Sequence, residues 1–256
     1  MSVKIAIIGG TGVYDPNMLT DITEEKVDTV YGTIKVKIGN YQGKRVAFMP
    51  RHGADHSVAP HLINYRANIY GLKLLGVKNI FATAAVGSLN LEMKPKDFVF
   101  VDQFLDFTKN RPLTFAQDTV LHLDMTEPYC PSLRKVMEEA AVRLGLSYHN
   151  GGTYVTMEGP RFETPAEIRM LRLLGGDVVG MTSVPEVVLA REAEMCYATI
   201  AMVTNFAAGI STTPLTHQEV MEVMAENAHN FRSLVMETIA STDEEADCAC
   251  QHLPPL

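Results

Sequence analysis

Short apolar runs alternate with longer amphipathic segments that stop at glycine, and this alternation restricts the fold more than any other feature of the chain. Residues 3–8 form a continuous apolar run that ends in Gly9-Gly10-Thr11-Gly12. Residues 79–82, 97–101, 153–157, 177–180 and 197–203 are similar runs, short enough to be buried strands. Between them, residues 62–75, 131–144 and 186–194 carry helical spacing, and residues 217–239 read as one long closing helix. A further helix has a complete start signal, with Thr164 as N-cap, Pro165 at the first helical position and Glu167 closing a capping box, and it stops at Gly175-Gly176. Residues 33–38 and 45–49 flank a turn at 39–43 and predict an antiparallel hairpin. The stretch before residue 29 is acidic and poorly periodic. Residues 103–128, which hold Asp106, Arg111, His122 and Asp124, read as loop.

Strands alternating with helices imply α/β architecture, and the hairpin makes the sheet mixed. Neither a repeat nor a linker interrupts the pattern, so one domain is expected over residues 1–240, with a polar tail at 241–256 that holds Cys248-Ala249-Cys250. An apolar fraction of 46% over 256 residues supplies a sizeable core. The net charge of -8 argues against a nucleic-acid binder, which carries a basic face. The N-terminal apolar run is too short for a signal peptide, and no stretch approaches the ~20 residues of a membrane span. A cytoplasmic protein without a membrane partner is expected. Cys130 and Cys196 read as reduced, buried thiols, and Cys248 and Cys250 as exposed thiols on a frayed tail.

In open α/β sheets, ligands sit beyond the carboxyl ends of the strands. Five segments follow such ends here: residues 9–12, Arg51-His52, residues 83–87, Met181-Thr182 and residues 205–209. They are rich in small residues and hydroxyls and include an Arg-His pair, a set that suits phosphate or another small anion. The glycine turn does not continue as a dinucleotide fingerprint, because Asp15 and Pro16 stand where a third glycine and a helix are needed. Two readings of it stay open: an anion cradle of backbone N–H groups with the Thr11 hydroxyl, or a tight turn without a ligand. His52 and His56 have the spacing of a zinc pair, but Gly53 and Pro60 argue against the helix that pair needs. Arg51 can bind phosphate oxygens through its planar fork; taken alone, it would equally be a surface salt bridge. No Gly-x-Ser-x-Gly elbow occurs, and no carboxylate pair is marked for glycosidase work.

Taken together, GGTG at 9–12, RHG at 51–53, NYRANI at 64–69, AAVGSL at 84–89, EPYCP at 127–131, MEGPRFET at 157–164 and MTSVPEVVLARE at 181–192 resemble the trimeric nucleoside phosphorylases, the family of purine nucleoside and methylthioadenosine phosphorylases. The resemblance spans about residues 5–234. It implies a single α/β domain with a twisted mixed sheet, a homotrimer or dimer of trimers, and purine nucleoside and phosphate as partners. Inorganic phosphate would be a co-substrate, with no cofactor and no metal. It assigns the phosphate site to Thr11, Arg51, His52, the Ala84-Ala85 backbone and Thr182. Met181 would meet the ribose hydroxyls through its backbone, and Phe162 would pack on the base, in a nucleoside site that also includes Phe206. His122 matches a residue that reaches into a neighbouring subunit's site.

The base is read from two positions. A 6-oxopurine offers an acceptor at O6 and a donor at N1–H. The Asn205 amide can donate to O6 while its oxygen accepts from a protonated N7. The adenine-specific branch of the resembled family has Asp there, and a second Asp where this chain has Ala207. Glu163 matches the carboxylate that accepts N1–H in 6-oxopurine enzymes. Asn205, His52 and Glu163 are therefore the expected catalytic groups. His217 matches the residue that meets the 5′-hydroxyl, which favours inosine and guanosine over 5′-methylthio substrates; a histidine at a helix start is also often just an exposed polar group. The expected reaction is phosphorolysis of 6-oxopurine nucleosides in purine salvage. The alternatives are a methylthioinosine or methylthioadenosine phosphorylase, a nucleotide-cofactor oxidoreductase using the glycine turn, and a non-catalytic nucleoside-binding relative.

Overall fold

The computed structural model describes residues 2–9, 18–53, 57–116, 118–211 and 214–252. Its strands are β1 (Ile5–Gly9), β2 (Thr20–Thr29), β3 (Gly32–Tyr41), β4 (Lys44–Pro50), β5 (Asn79–Ser88), β6 (Phe98–Phe100), β7 (Gln103–Phe107), β8 (Tyr148–Asn150), β9 (Thr153–Met157), β10 (Val178–Gly180) and β11 (Cys196–Phe206). The helices are α1 (Tyr65–Leu74), α2 (Pro131–Leu144), α3 (Pro165–Leu173), α4 (Ser183–Glu192), α5 (His217–Glu226) and α6 (Ala228–Ser241). All the strands join one mixed sheet.

Four strands, β4, β1, β5 and β11, run parallel side by side. On one flank β2, β3 and β4 form an antiparallel ribbon. On the other, β10, β9 and β7 run parallel to one another, and β10 meets the end of β5 antiparallel. This arrangement leaves a gap on one edge of β5. There β1 covers only Asn79–Ala82, and β10 joins only at Gly87 and Ser88. Among the described residues, no strand pairs with that edge between residues 83 and 86.

Alternate side chains of the central strands enter opposite cores, as the two-residue repeat of a strand requires. Ile5 and Ile7 pack with Met137 of α2 and with Phe231 and Leu234 of α6. Ala6 and Ile8 pack with Ile69 and Leu72 of α1 and with Val187 and Leu189 of α4. The capping box of α3 is present: the Thr164 hydroxyl accepts from the Glu167 N–H at 3.2 Å, and a Glu167 carboxylate oxygen accepts from the Thr164 N–H at 2.7 Å. Gly145 ends α2 in the left-handed region, at φ 65°.

Five expectations are corrected. The acidic stretch contains β2, which bonds only to β3 and is largely exposed; one face is half-buried only at Glu25, Val27 and Thr29, too little to impose a clear apolar alternation. The region expected to be loop opens with β7, paired to β9. Residues 83–87 do not follow a strand; they lie inside β5, which runs on to Ser88 beside β11. The single closing helix is two, broken at Asn227 (φ -101°, ψ 7°), whose amide donates to the Lys96 carbonyl at 3.1 Å. The end of the chain is not frayed up to residue 252: residues 249–251 form a 3₁₀ turn, Cys250 is buried and Cys248 half-buried.

Candidate active site

A cleft of about 430 Å³ opens where these strands end, lined by Arg51, His52, Ala84, Ala85, Phe162, Glu163, Met181, Thr182, Asn205, Ala207 and His217. That size suits a nucleoside-sized ligand. Its floor is the uncovered edge of β5, where backbone groups have no neighbouring strand. The loop expected to supply Thr11, and His56, lie outside the described residues.

Arg51 is not a surface residue. Its Nε and Nη2 each donate at 2.8 Å to a carboxylate oxygen of Glu186, and both side chains are buried, 2% and 0% exposed. Its Nη1 donates to the Thr83 carbonyl at 2.8 Å, on the uncovered β5 edge. The Tyr197 hydroxyl donates to the same Glu186 carboxylate at 2.7 Å. Although burial opposes the charged form, Glu186 holds the Arg51 guanidinium firmly protonated. A guanidinium has five N–H donors; three are engaged here, and the two that remain, one on each terminal nitrogen, are available to an anion. The fork that the sequence suggested for phosphate belongs on its Nε side to Glu186. Next to Arg51, the His52 Nδ1 lies 2.9 Å from the Val58 carbonyl, which fixes the proton on that nitrogen.

Asn205 stands at the far end of β11, just past an irregularity. Val203 pairs with Val86 and Asn205 with Gly87, so Thr204 is an extra residue, and such a bulge re-aims the side chain beyond it. The Thr204 hydroxyl donates to Asn205 Oδ1 at 2.8 Å, and Asn205 Nδ2 donates to the Phe206 carbonyl at 3.0 Å. The amide is thereby oriented, with one N–H and one lone pair left for a ligand. Gly87 makes room for it: a Cβ there would stand 3.3 Å from Asn205 Nδ2. Phe206 itself is half-buried and does not line the cleft; it contributes its backbone carbonyl.

Glu163 immediately precedes the capping box of α3, and burial pushes its carboxyl above the ordinary glutamate value. Phe162 is more than a third exposed and lies at the mouth of the cleft. The two motif segments that meet there are pressed together, since a Cβ on Gly159 (φ 68°) would come within 2.6 Å of Met181 Sδ. His217, the first residue of α5, also lines the cleft, beside Leu215 and Val220. His122 is exposed and is not part of its own chain's cleft.

Two residues were assigned no role from sequence. Glu186 is one. The other is Arg111, buried in a loop, whose Nη1 donates to the carbonyls of Met181 (2.7 Å) and Val184 (2.9 Å) and whose Nη2 donates to the Glu158 carbonyl (2.8 Å). It therefore ties together both segments that form the mouth. Only the spread of its contacts in space, all more than forty residues away along the chain, reveals that role.

A mixed α/β sheet with a polar cleft at the ends of its parallel strands is the setting of a small-molecule site, and Arg51, Glu163 and Asn205 line this one. Residues 4–240 match the model of the Phosphorylase superfamily, and the chain belongs to that family. It is 58% identical to a protein of Moorella thermoacetica named "Probable 6-oxopurine nucleoside phosphorylase", over 97% of this chain and 96% of that one. It is 54% identical to the 6-oxopurine nucleoside phosphorylase of Pyrococcus furiosus, with the same coverage. Among solved structures, a methylthioadenosine phosphorylase from an antarctic soil metagenomic library superposes with a TM-score of 0.92 at 37% identity, covering 98% of this chain and 90% of that one. No helix among the described residues is long and apolar enough to cross a membrane.

Proposed function

We propose that this chain cleaves 6-oxopurine nucleosides with inorganic phosphate, giving the free base and ribose 1-phosphate. The observation that carries the reading is Asn205, oriented by Thr204 and the bulge, in the same cleft as the buried carboxyl of Glu163. The two groups complement O6, N7–H and N1–H of a 6-oxopurine. An adenine base would leave buried donors and acceptors unpaired, which can cost a factor on the order of 10⁴ in discrimination.

Phosphate lies on the β5 edge against the remaining N–H groups of Arg51, with His52, the Ala84-Ala85 backbone and Thr182 around it; Thr11, outside the described residues, is the further hydroxyl expected to join them. The C1′–N9 bond breaks ahead of full attack and its electron pair passes into the purine, which takes a proton at N7, while a phosphate oxygen bonds C1′ and the phosphate gives up one proton to solvent. Asn205 stabilises the leaving base at N7, and the fixed phosphate lowers the entropy cost of attack. Glu163 holds the base edge, Phe162 covers it, and the Met181 backbone meets the ribose. This chemistry requires neither a metal nor an organic cofactor. A homotrimer or dimer of trimers is inferred, in which the exposed His122 reaches a neighbour's cleft, and a cytoplasmic place in purine salvage fits the reaction.

One observation favours a second reading. Leu215 and Val220 stand beside His217 in the cleft wall, and an apolar wall suits the 5′-methylthio group of methylthioinosine or methylthioadenosine. Comparing kcat/KM for inosine and methylthioinosine tests the assignment: His217 predicts a preference for inosine, and a strong preference for the thioether substrate would replace the reading.

A further inference from the structure

We propose that Cys130, Cys196, Cys248 and Cys250 form a tetrathiolate site for a thiophilic divalent cation with the preferences of zinc, which staples the end of the chain to the sheet. Their sulfur atoms all lie within 4.8 Å of one another, and Cys130 Sγ and Cys248 Sγ are 3.7 Å apart. Four sulfurs at the ~2.3 Å bond length of a tetrahedral zinc site stand about 3.8 Å from each other.

The four thiols come from three separate parts of the chain. Cys130 precedes α2, Cys196 opens β11, and Cys248 and Cys250 flank a single alanine in the terminal segment. Cys130, Cys196 and Cys250 are buried in the core under α2 and α6, with half-buried Cys248 packed against it, so the site is largely shielded from water. Gln251 Nε2 donates to Cys196 Sγ at 3.5 Å, and the Ser132 hydroxyl lies 3.9 Å from Cys248 Sγ. Polar groups of this kind orient and stabilise metal-bound thiolates. Residues 241–247, Ser-Thr-Asp-Glu-Glu-Ala-Asp, contain no large apolar side chain; Lys44 Nζ holds the start of the segment by donating to the Thr242 carbonyl, and the thiols hold its far end. Binding exchanges four S–H protons for four sulfur–metal bonds, with no change of oxidation state.

The site is structural rather than catalytic. Cys196 begins β11 and Asn205 lies at its other end, about 30 Å away at ~3.3 Å per residue.

The test is metal analysis of the full chain purified anaerobically under reducing conditions with zinc present, followed by replacement with cobalt(II). About one zinc per chain is expected, with thiolate-to-cobalt charge transfer and the visible bands of tetrahedral cobalt. The C248S/C250S double variant should lose both signals, lower Tm and keep phosphorolysis within about twofold at moderate temperature. Should that variant fail to fold, cobalt titration of the unaltered chain still decides. Less than about a tenth of a metal per chain with no cobalt spectrum overturns the proposal. An intact mass short of four hydrogens overturns it too, since the thiols would then be paired as disulfides.

Discussion

Glu186 occupies the Nε side of the Arg51 guanidinium with two 2.8 Å hydrogen bonds, and so turns the other end of that side chain toward the uncovered edge of β5. Planarity is what allows one cation to face a carboxylate and an incoming anion at once. Arg51→Lys keeps the charge and loses that geometry. The phosphate dependence of kcat/KM should fall on the order of 10²-fold, as for other misplacements of about an ångström, with inosine KM moving much less. An unchanged phosphate KM in steady-state kinetics would mean that charge alone suffices.

Selectivity for the base should turn on Asn205. Asn205→Asp removes the donor to O6 and places an acceptor where an adenine amino group would sit, so the ratio of kcat/KM for inosine over adenosine should drop by at least about 10²-fold. The parallel comparison of both substrates on both proteins checks it. An unmoved ratio would place base recognition elsewhere.

Glu163 predicts an acid limb in the pH profile. Burial favours its neutral form, whereas accepting N1–H requires the carboxylate. As pH falls, inosine kcat/KM should therefore decline at a pH above the ordinary glutamate value of about 4.3. Glu163→Gln should remove that limb together with most of the inosine activity. A wild-type profile flat down to pH 4.5 would contradict the role.

The start of α3 fixes where Glu163 sits. Thr164→Ala should lower stability by about 1 kcal/mol, measured by denaturant unfolding. Hydrogen bonds from Arg161 and from the Thr164 N–H hold the Glu167 carboxyl down to about 2. A carboxyl lowered on folding stabilises above its unfolded value and ceases to as pH falls through its folded one. The difference in stability between the wild type and Glu167→Gln should thus be full at neutral pH and shrink between about 4.3 and 2.

Much of this architecture was legible from local signals. Buried strands and capped helices announce themselves: the Thr164–Glu167 box and the Gly145 stop both stand where the sequence puts them. The largely exposed β2 carried no such mark, because Val27 is the one apolar side chain it packs against the core. Asn227 broke a helix whose apolar spacing continues through it, by bonding to a carbonyl 131 residues away. Within the cleft, residue types were readable but pairings were not. Arg51 and Glu186 are 135 positions apart, and no local pattern joins them. The bulge at Thr204 likewise depends on its register against β5. The cysteines misled for the same reason: a polar, charged segment reads as solvated until the thiols it delivers are seen beside Cys130 and Cys196.

Phosphate as the attacking group is the claim on which the rest depends, and product analysis from inosine with and without orthophosphate tests it directly. The account predicts ribose 1-phosphate and hypoxanthine in equal amounts when phosphate is present, and negligible hypoxanthine when it is withheld. Equal rates of base release in both buffers, with free ribose as the sugar product, would make water the nucleophile and contradict the account.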